Sequence, residues 1–265
     1  MQTRVRVDEW ETALARSALY ELLSRCLAYP SPSHREALRA TVVPLVESIS
    51  TGDPSVDDAI AAVLDGLAAP LDELRAAHTQ VFTHIEPEDC PPYESAYGFA
   101  EIFRQTEVMA DVAGFYRAHG LRVGGSERER PDNVVTELEF MSFMARKEAV
   151  ALDQLGPEEI DECRRTQARF LQDHLGCWAV DFGRRLALVC EHPLLRATGT
   201  LLATWLEAEL CALGVEPTAR RSEPVPRPMP DDGACGGACE GLDVGDASPA
   251  LAVELTTREG PGGAR

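Results

Sequence analysis

Two stretches of this 265-residue chain set polar and aromatic side chains between prolines, the setting in which a rigid binding surface is built. The first contains Glu86-Pro87 and Pro91-Pro92-Tyr93-Glu94-Ser95-Ala96-Tyr97. The second runs Arg130-Pro131-Asp132-Asn133 into Glu137-Leu138-Glu139-Phe140-Met141. Proline restricts the backbone, and loops held by a rigid scaffold are where binding residues concentrate. Each residue also has a plainer reading taken singly. Asp132 suits a helix N-cap, and Tyr93 and Tyr97 suit a core. Glu137 and Glu139 stand two apart, so on a helix they point about 200° from each other and cannot share one substrate.

Other chemistry is sparse. Cys235 and Cys239 lie in a run of small residues, Gly233-Ala234-Cys235-Gly236-Gly237-Ala238-Cys239. There they read either as a pair able to meet one metal or each other, or as two exposed thiols in a tail. Cys190 and His192 are close, but two ligands fall short of the four or so of a zinc site. They read as structural. The six histidines sit singly. Phosphate-cradling glycine loops, GxSxG elbows, HExxH helices and paired Glu-x-x-His motifs are absent from the sequence. We therefore expect a binding protein with no cofactor of its own rather than an enzyme.

Helical periodicity dominates the elements that must position these residues. Leu19, Leu22, Leu23, Cys26 and Leu27 follow the i, i+3, i+4, i+7, i+8 spacing of one buried face. Tyr29-Pro30-Ser31-Pro32 ends that helix. Ser33 with Glu36 reads as the capping box of the next, which Pro44 is expected to kink. Further faces carry Ile60, Val63 and Leu67; then Leu71, Leu74, His78, Val81 and Phe82; then Ile102, Phe103, Met109 and Tyr116. Pro131-Asp132 opens a long helix with Val134, Val135, Leu138, Met141, Ala145, Ala149 and Leu152 inward. Gly156-Pro157-Glu158-Glu159 starts another. The last two carry Trp178, Phe182, Leu186 and Val189, then Leu194, Leu201, Leu202 and Trp205, and are parted at His192-Pro193. This pattern predicts an all-α fold, a single globular domain of nine or ten helices over residues 1–214. Residues 215–265 contain 15 Gly or Pro among 51 and read as a disordered, flexible tail.

Composition narrows the partners. The formal net charge is −19 and the pI about 4.7. That argues against nucleic acid, which is held by Lys and Arg, and favours a basic partner if it does more than keep the chain soluble. Apolar runs fall short of the roughly 20 residues of a membrane span. Residues 1–11 lack the apolar stretch of a secretory signal. A cytoplasmic location is expected, with most cysteines as reduced core residues.

Taken together, PPYESAY, the FRQ…MADVAGFYRAHGL run, ERPDN…ELEFM, CRRTQARFLQDHLGCWAVDFGRRL and WLEAEL resemble the TorD/DmsD family of redox-enzyme maturation chaperones, over roughly residues 12–213. The resemblance implies an all-α protein that is not a catalyst. It implies as partner the catalytic subunit of a molybdopterin oxidoreductase, held before export by its twin-arginine signal peptide while cofactor is inserted. The family's proline-aspartate-histidine motif falls on Pro131, Asp132 and Asn133, with asparagine replacing the histidine. The resemblance places Asp132 and Glu94 near the peptide's arginines, with Tyr93, Tyr97 and Phe103 along its apolar part and Glu137 beside them. It leaves open a monomer or a helix-swapped homodimer, with residues 122–130 as hinge. Two alternatives stand beside it: a nitrate-reductase-type assembly chaperone for a subunit that is not exported, and a thiol-based metal or redox protein using Cys235 and Cys239.

Overall fold

The computed structural model describes residues 2–82, 90–97, 102–124, 129–219 and 224, with the side chains of residues 2–8, 102 and 103 excepted. The described residues are helical, apart from turns, loops and two isolated bridges. In chain order the α-helices are α1 (Gln2–Leu27), α2 (Pro32–Ala37), α3 (Val43–Val46), α4 (Pro54–Gly66), α5 (Leu71–Phe82), α6 (Ile102–Ala118), α7 (Val134–Gln154), α8 (Pro157–Phe170), α9 (Gly176–Val189) and α10 (Pro193–Leu213). A π turn, Leu38–Val42, joins α2 to α3, and a second, Leu171–Leu175, joins α8 to α9. The ten segments therefore make eight continuous rods among the described residues, fewer than the nine or ten expected. Where a break was expected between Leu175 and Trp178, the π turn absorbs one extra residue and lets the helix continue. Another precedes Pro44, which has no N–H to give to the helix ladder.

Two antiparallel pairs form the body. α1 lies along α7, with Ala13 by Ala149, Ser17 bonded to the Ser142 carbonyl at 2.9 Å and Glu21 paired with Arg146. α9 packs on α10 at an unusually close crossing. A Cβ on Gly183 would stand 2.7 Å from the Gly199 carbonyl oxygen, and one on Gly199 2.6 Å from that of Gly183. Only hydrogen fits between these backbones. Tyr20, Leu138, Met141, Phe170, Trp178 and Phe182 fill the centre, each fully buried or nearly so. Across it runs a buried ionic tie in which Arg16 makes a bidentate pair with Glu209 (2.8 and 2.7 Å) and also reaches Glu148 at 3.0 Å.

Local starts differ from expectation at two places. Ser31, not Ser33, caps α2: its Oγ accepts the His34 N–H at 3.1 Å. Pro32 takes the first helical position, which its fixed φ suits, so the cap falls one residue before it. α7 begins at Val134, and its cap is Asn133 rather than Asp132. Val189, expected inward, is exposed. Among the described residues no helix is long and apolar enough to cross a membrane.

Candidate functional site

The two proline-fixed stretches meet and pair. Tyr93 and Asn133 form an isolated antiparallel bridge. The Glu94 N–H donates to the Asp132 carbonyl and the Val134 N–H to the Pro92 carbonyl, both at 2.9 Å. Asn133 faces the helix: its Oδ1 accepts the Val135 N–H at 2.8 Å, satisfying one orphan donor at the start of α7.

Asp132, relieved of capping, turns into the first stretch. Its side chain is fully buried, accepting from the Ser95 N–H at 3.1 Å and from Arg130 Nε and Nη2 at 3.0 and 2.8 Å. Arg130 also donates to Ser95 Oγ at 2.6 Å and lies 4.4 Å above the Tyr93 ring centroid. Charge-assisted, bidentate bonds of this kind are the strong ones. One guanidinium thus locks both stretches from the solvent side, and the Tyr116 hydroxyl, donating to the Pro131 carbonyl at 2.9 Å, holds them from behind.

Deeper lie two more carboxyls. Glu94 has no exposure, and its Oε2 meets His174 Nδ1 at 3.0 Å. Asp111 approaches the other ring nitrogen at 3.4 Å, without the alignment of a hydrogen bond. Glu137, also fully buried, accepts from Trp178 Nε1 at 3.3 Å through Oε2, while its Oε1 has no partner. Burial, then the neighbouring charges of Glu94 and Asp132, push the Glu137 carboxyl well above the usual carboxylate range. Glu137 therefore holds a proton where an ordinary glutamate would not. Tyr97 is wholly buried, its ring 5.1 Å from that of Trp178, and its backbone bridges to Pro224.

The residues singled out in the sequence thus fall into one connected region: Tyr93, Glu94, Tyr97, Pro131, Asp132, Asn133 and Glu137. The side chain of Phe103 lies outside the described residues. Their exposure divides them. Tyr93, Pro131 and Arg130 reach the surface, whereas Glu94, Asp132 and Glu137 do not. A guanidinium from outside must displace Arg130 to reach Asp132, and must pass buried side chains to reach Glu94. Three participants were missed: Arg130, Ser95 and His174. Arg130 stood in plain view two residues before Asp132. His174 had a fainter signal, four residues before Trp178 and so on the same inward face.

Among the described residues no group of three or more His, Cys, Asp or Glu is placed to hold a metal ion. Cys235 and Cys239 lie outside the described residues. His192 has a structural task, its Nδ1 accepting the Leu194 N–H at 3.2 Å to cap α10.

A family profile described as nitrate reductase delta subunit matches residues 36–184. The chain is 28% identical over 187 residues to a perchlorate reductase assembly chaperone protein of Dechloromonas aromatica (strain RCB), covering 65% of this chain and 78% of that one. It is 30% identical over 115 residues to a chlorate reductase assembly chaperone protein of Ideonella dechloratans, covering 43% and 57%. It is 32% identical over 79 residues to a selenate reductase assembly chaperone protein of Thauera selenatis, covering 30% and 40%.

Proposed function

The chain belongs to the nitrate reductase delta subunit family, within the TorD/DmsD group of redox-enzyme maturation proteins, and from that premise we propose that it is an assembly chaperone for the catalytic subunit of a molybdopterin-containing oxidoreductase. The family is one of assembly chaperones, not catalysts. The client's cofactor belongs to the client; this chain holds the protein part while it is loaded.

One observation carries the reading to a place on the molecule. The Arg130–Asp132–Ser95 lock fixes two stretches against each other and presents Tyr93, Pro131 and Arg130 outward on a rigid backing. A client peptide docks against Tyr93 and Pro131. Asp132, Glu94, Asn133 and Glu137 hold that surface from behind, and Tyr97 packs under it. The docking segment is the client's N-terminal, twin-arginine signal, whose basic end suits a chain of net charge −19. Asp132 acts through Arg130, or pairs with the peptide once Arg130 swings out.

The test is recovery of the tagged full chain from its own cell, with identification of what it holds. A molybdoenzyme catalytic subunit is the expected catch; recovery of none overturns the proposal. Calorimetry with the N-terminal peptide of that subunit then tests the surface. Tyr93→Ala weakens binding at least tenfold if the peptide docks there, and unchanged affinity removes Tyr93 from the site.

A second reading is favoured by the family description itself, nitrate reductase delta subunit. It has the same docking surface serve a subunit that is never exported. The N-terminus of the recovered client separates the two: a twin-arginine signal supports export, and its absence supports the second reading.

A further inference from the structure

On the opposite face of α7 from Glu137 lies a cleft of about 310 Å³ between α1, α7 and the segment 121–124. Its floor is aromatic: Tyr116 and Phe140 are buried there and Phe143 is half-buried. Its walls hold three guanidiniums, Arg25 from α1, Arg146 from α7 and Arg122 from the loop, in a chain of net charge −19. Against them stand two carboxyls. Glu21 accepts from Arg146 at 2.7 Å and from Arg25 at 3.4 Å, so it neutralises part of the wall. Glu139 is bonded by Ser24 on one side, while its Oε2 is buried without any partner.

We propose that this cleft binds a carboxylate carried on an aromatic or aliphatic body, the carboxylate lying between Arg146 and Glu139 and the body on Tyr116, Phe140 and Phe143. The charge count supports an anion. Burial, set against the charge of Arg25 and the Ser24 hydrogen bond, raises the Glu139 carboxyl to about 7, and Glu21 adds to the rise. With Glu139 protonated, three positive groups face one negative group. The O–H of Glu139 then supplies a donor to a ligand carboxylate, and Arg146, more than half exposed, supplies a charge-assisted one. Among the described residues no other titratable group lines the cleft besides the Tyr116 hydroxyl, which already donates to Pro131. A ligand anion needs the proton on Glu139, so affinity falls as pH rises through about 7. The inference stands apart from the identity of the client, because none of these residues except Tyr116, whose hydroxyl backs Pro131, touches the Tyr93 surface.

The test uses the full-length chain and four probes: 3-phenylpropionate, N-acetyl-Phe-Glu amide, its Phe-Gln counterpart and arginine amide. Binding is followed by calorimetry at about pH 6 and about pH 8. Both carboxylate probes are expected to bind and to lose about tenfold in affinity over that interval, the change in the protonated fraction of a group near 7. Glu139→Gln keeps a donor in place and flattens the pH dependence. Arg146→Gln, a change at an exposed position, weakens both probes about tenfold. Tighter binding of the peptide than of phenylpropionate assigns the site to a peptide, and the reverse order assigns it to a small organic acid. The proposal is overturned by equal binding of the Phe-Gln probe, by arginine amide binding more tightly as pH rises, or by no carboxylate binding in the millimolar range.

Discussion

Two clusters of buried acidic and basic groups among the described residues are built differently. In the helical body Arg16 and Arg164 face Glu148 and Glu209, with Gln167 and Tyr20 completing the bonds. Two cations meet two buried anions, the part-exposed Glu9 pairs with Arg164 at 3.1 Å from the rim, and α1, α7, α8 and α10 are tied at one point. Behind the paired loops, three carboxyls, Glu94, Asp132 and Glu137, share one guanidinium, that of Arg130, and the imidazole of His174. In the first cluster each buried carboxylate has a guanidinium bonded to it, and the cluster acts as a tie. The second crowds three buried carboxyls together, one of them, Glu137, with an unpartnered oxygen and pushed to hold its proton, which costs stability in a buried setting. Carboxyls crowded in that way, where the stretches of Tyr93 and Asn133 pair, suit the docking role proposed for this region better than the role of a core tie.

The largest effect that can break this contrast comes from unpairing the first cluster. Glu209→Ala leaves the Arg16 guanidinium buried with only Glu148. It is expected to cost about 3–5 kcal/mol in denaturant unfolding, the range for removing one partner of a buried pair. A loss below about 1 kcal/mol would mean that the network is a passenger. Next comes Asp132→Ala, which frees Arg130 and the Ser95 amide. About 2 kcal/mol is expected, with faster hydrogen exchange confined to residues 90–97 and 129–136. Exchange that rises equally across α1 and α7 would show that the loops have no lock of their own.

Glu137→Gln sharpens the same comparison through pH. Glu137 keeps its proton in the fold to a pH well above that of the unfolded chain. Its contribution is therefore fully present below the ordinary carboxylate range and is lost as pH rises towards the raised folded value. Glutamine preserves the shape and can still accept from Trp178. The variant is expected to gain on the wild type as pH rises from about 4.5, the ordinary glutamate value, and unfolding midpoints across that interval measure it. A constant difference at every pH would show that Glu137 carries no raised proton.

Much of this was legible in residue order, and the rest was hidden for identifiable reasons. The inward faces of α1, α7 and α10 follow from 3.6-residue spacing, because deep burial demands it. The meeting of PPYESAY with ERPDN was announced by prolines and by a family resemblance. What hid was direction. Asp132 and Asn133 are both good caps, and only the pairing of Tyr93 with Asn133 decides which points at the helix and which at the loop. The π turn at Leu171–Leu175 was hidden too, since Leu171 and Leu175 suit an α-helix equally well. That turn brings His174 round to Glu94. Asn133 in place of the family's histidine needs no special account here, since its observed work is capping, which asparagine does well.

The smallest change in this series asks most of the lock. Arg130→Lys keeps a positive charge two residues before Asp132, so any role resting on charge alone survives it. Lysine is a point charge without the planar fork, and it cannot reach both Asp132 oxygens and Ser95 Oγ while lying flat on Tyr93. The expected loss of stability is about 1 kcal/mol or less, because the Arg130 side chain is 35% exposed. The loss of client-peptide affinity should be larger than the loss of stability, since the ordered Tyr93 ring is part of the proposed docking surface. If Arg130→Lys lowers stability and leaves affinity untouched, the lock is a structural tie like that of Arg16, and the contrast between the two clusters collapses.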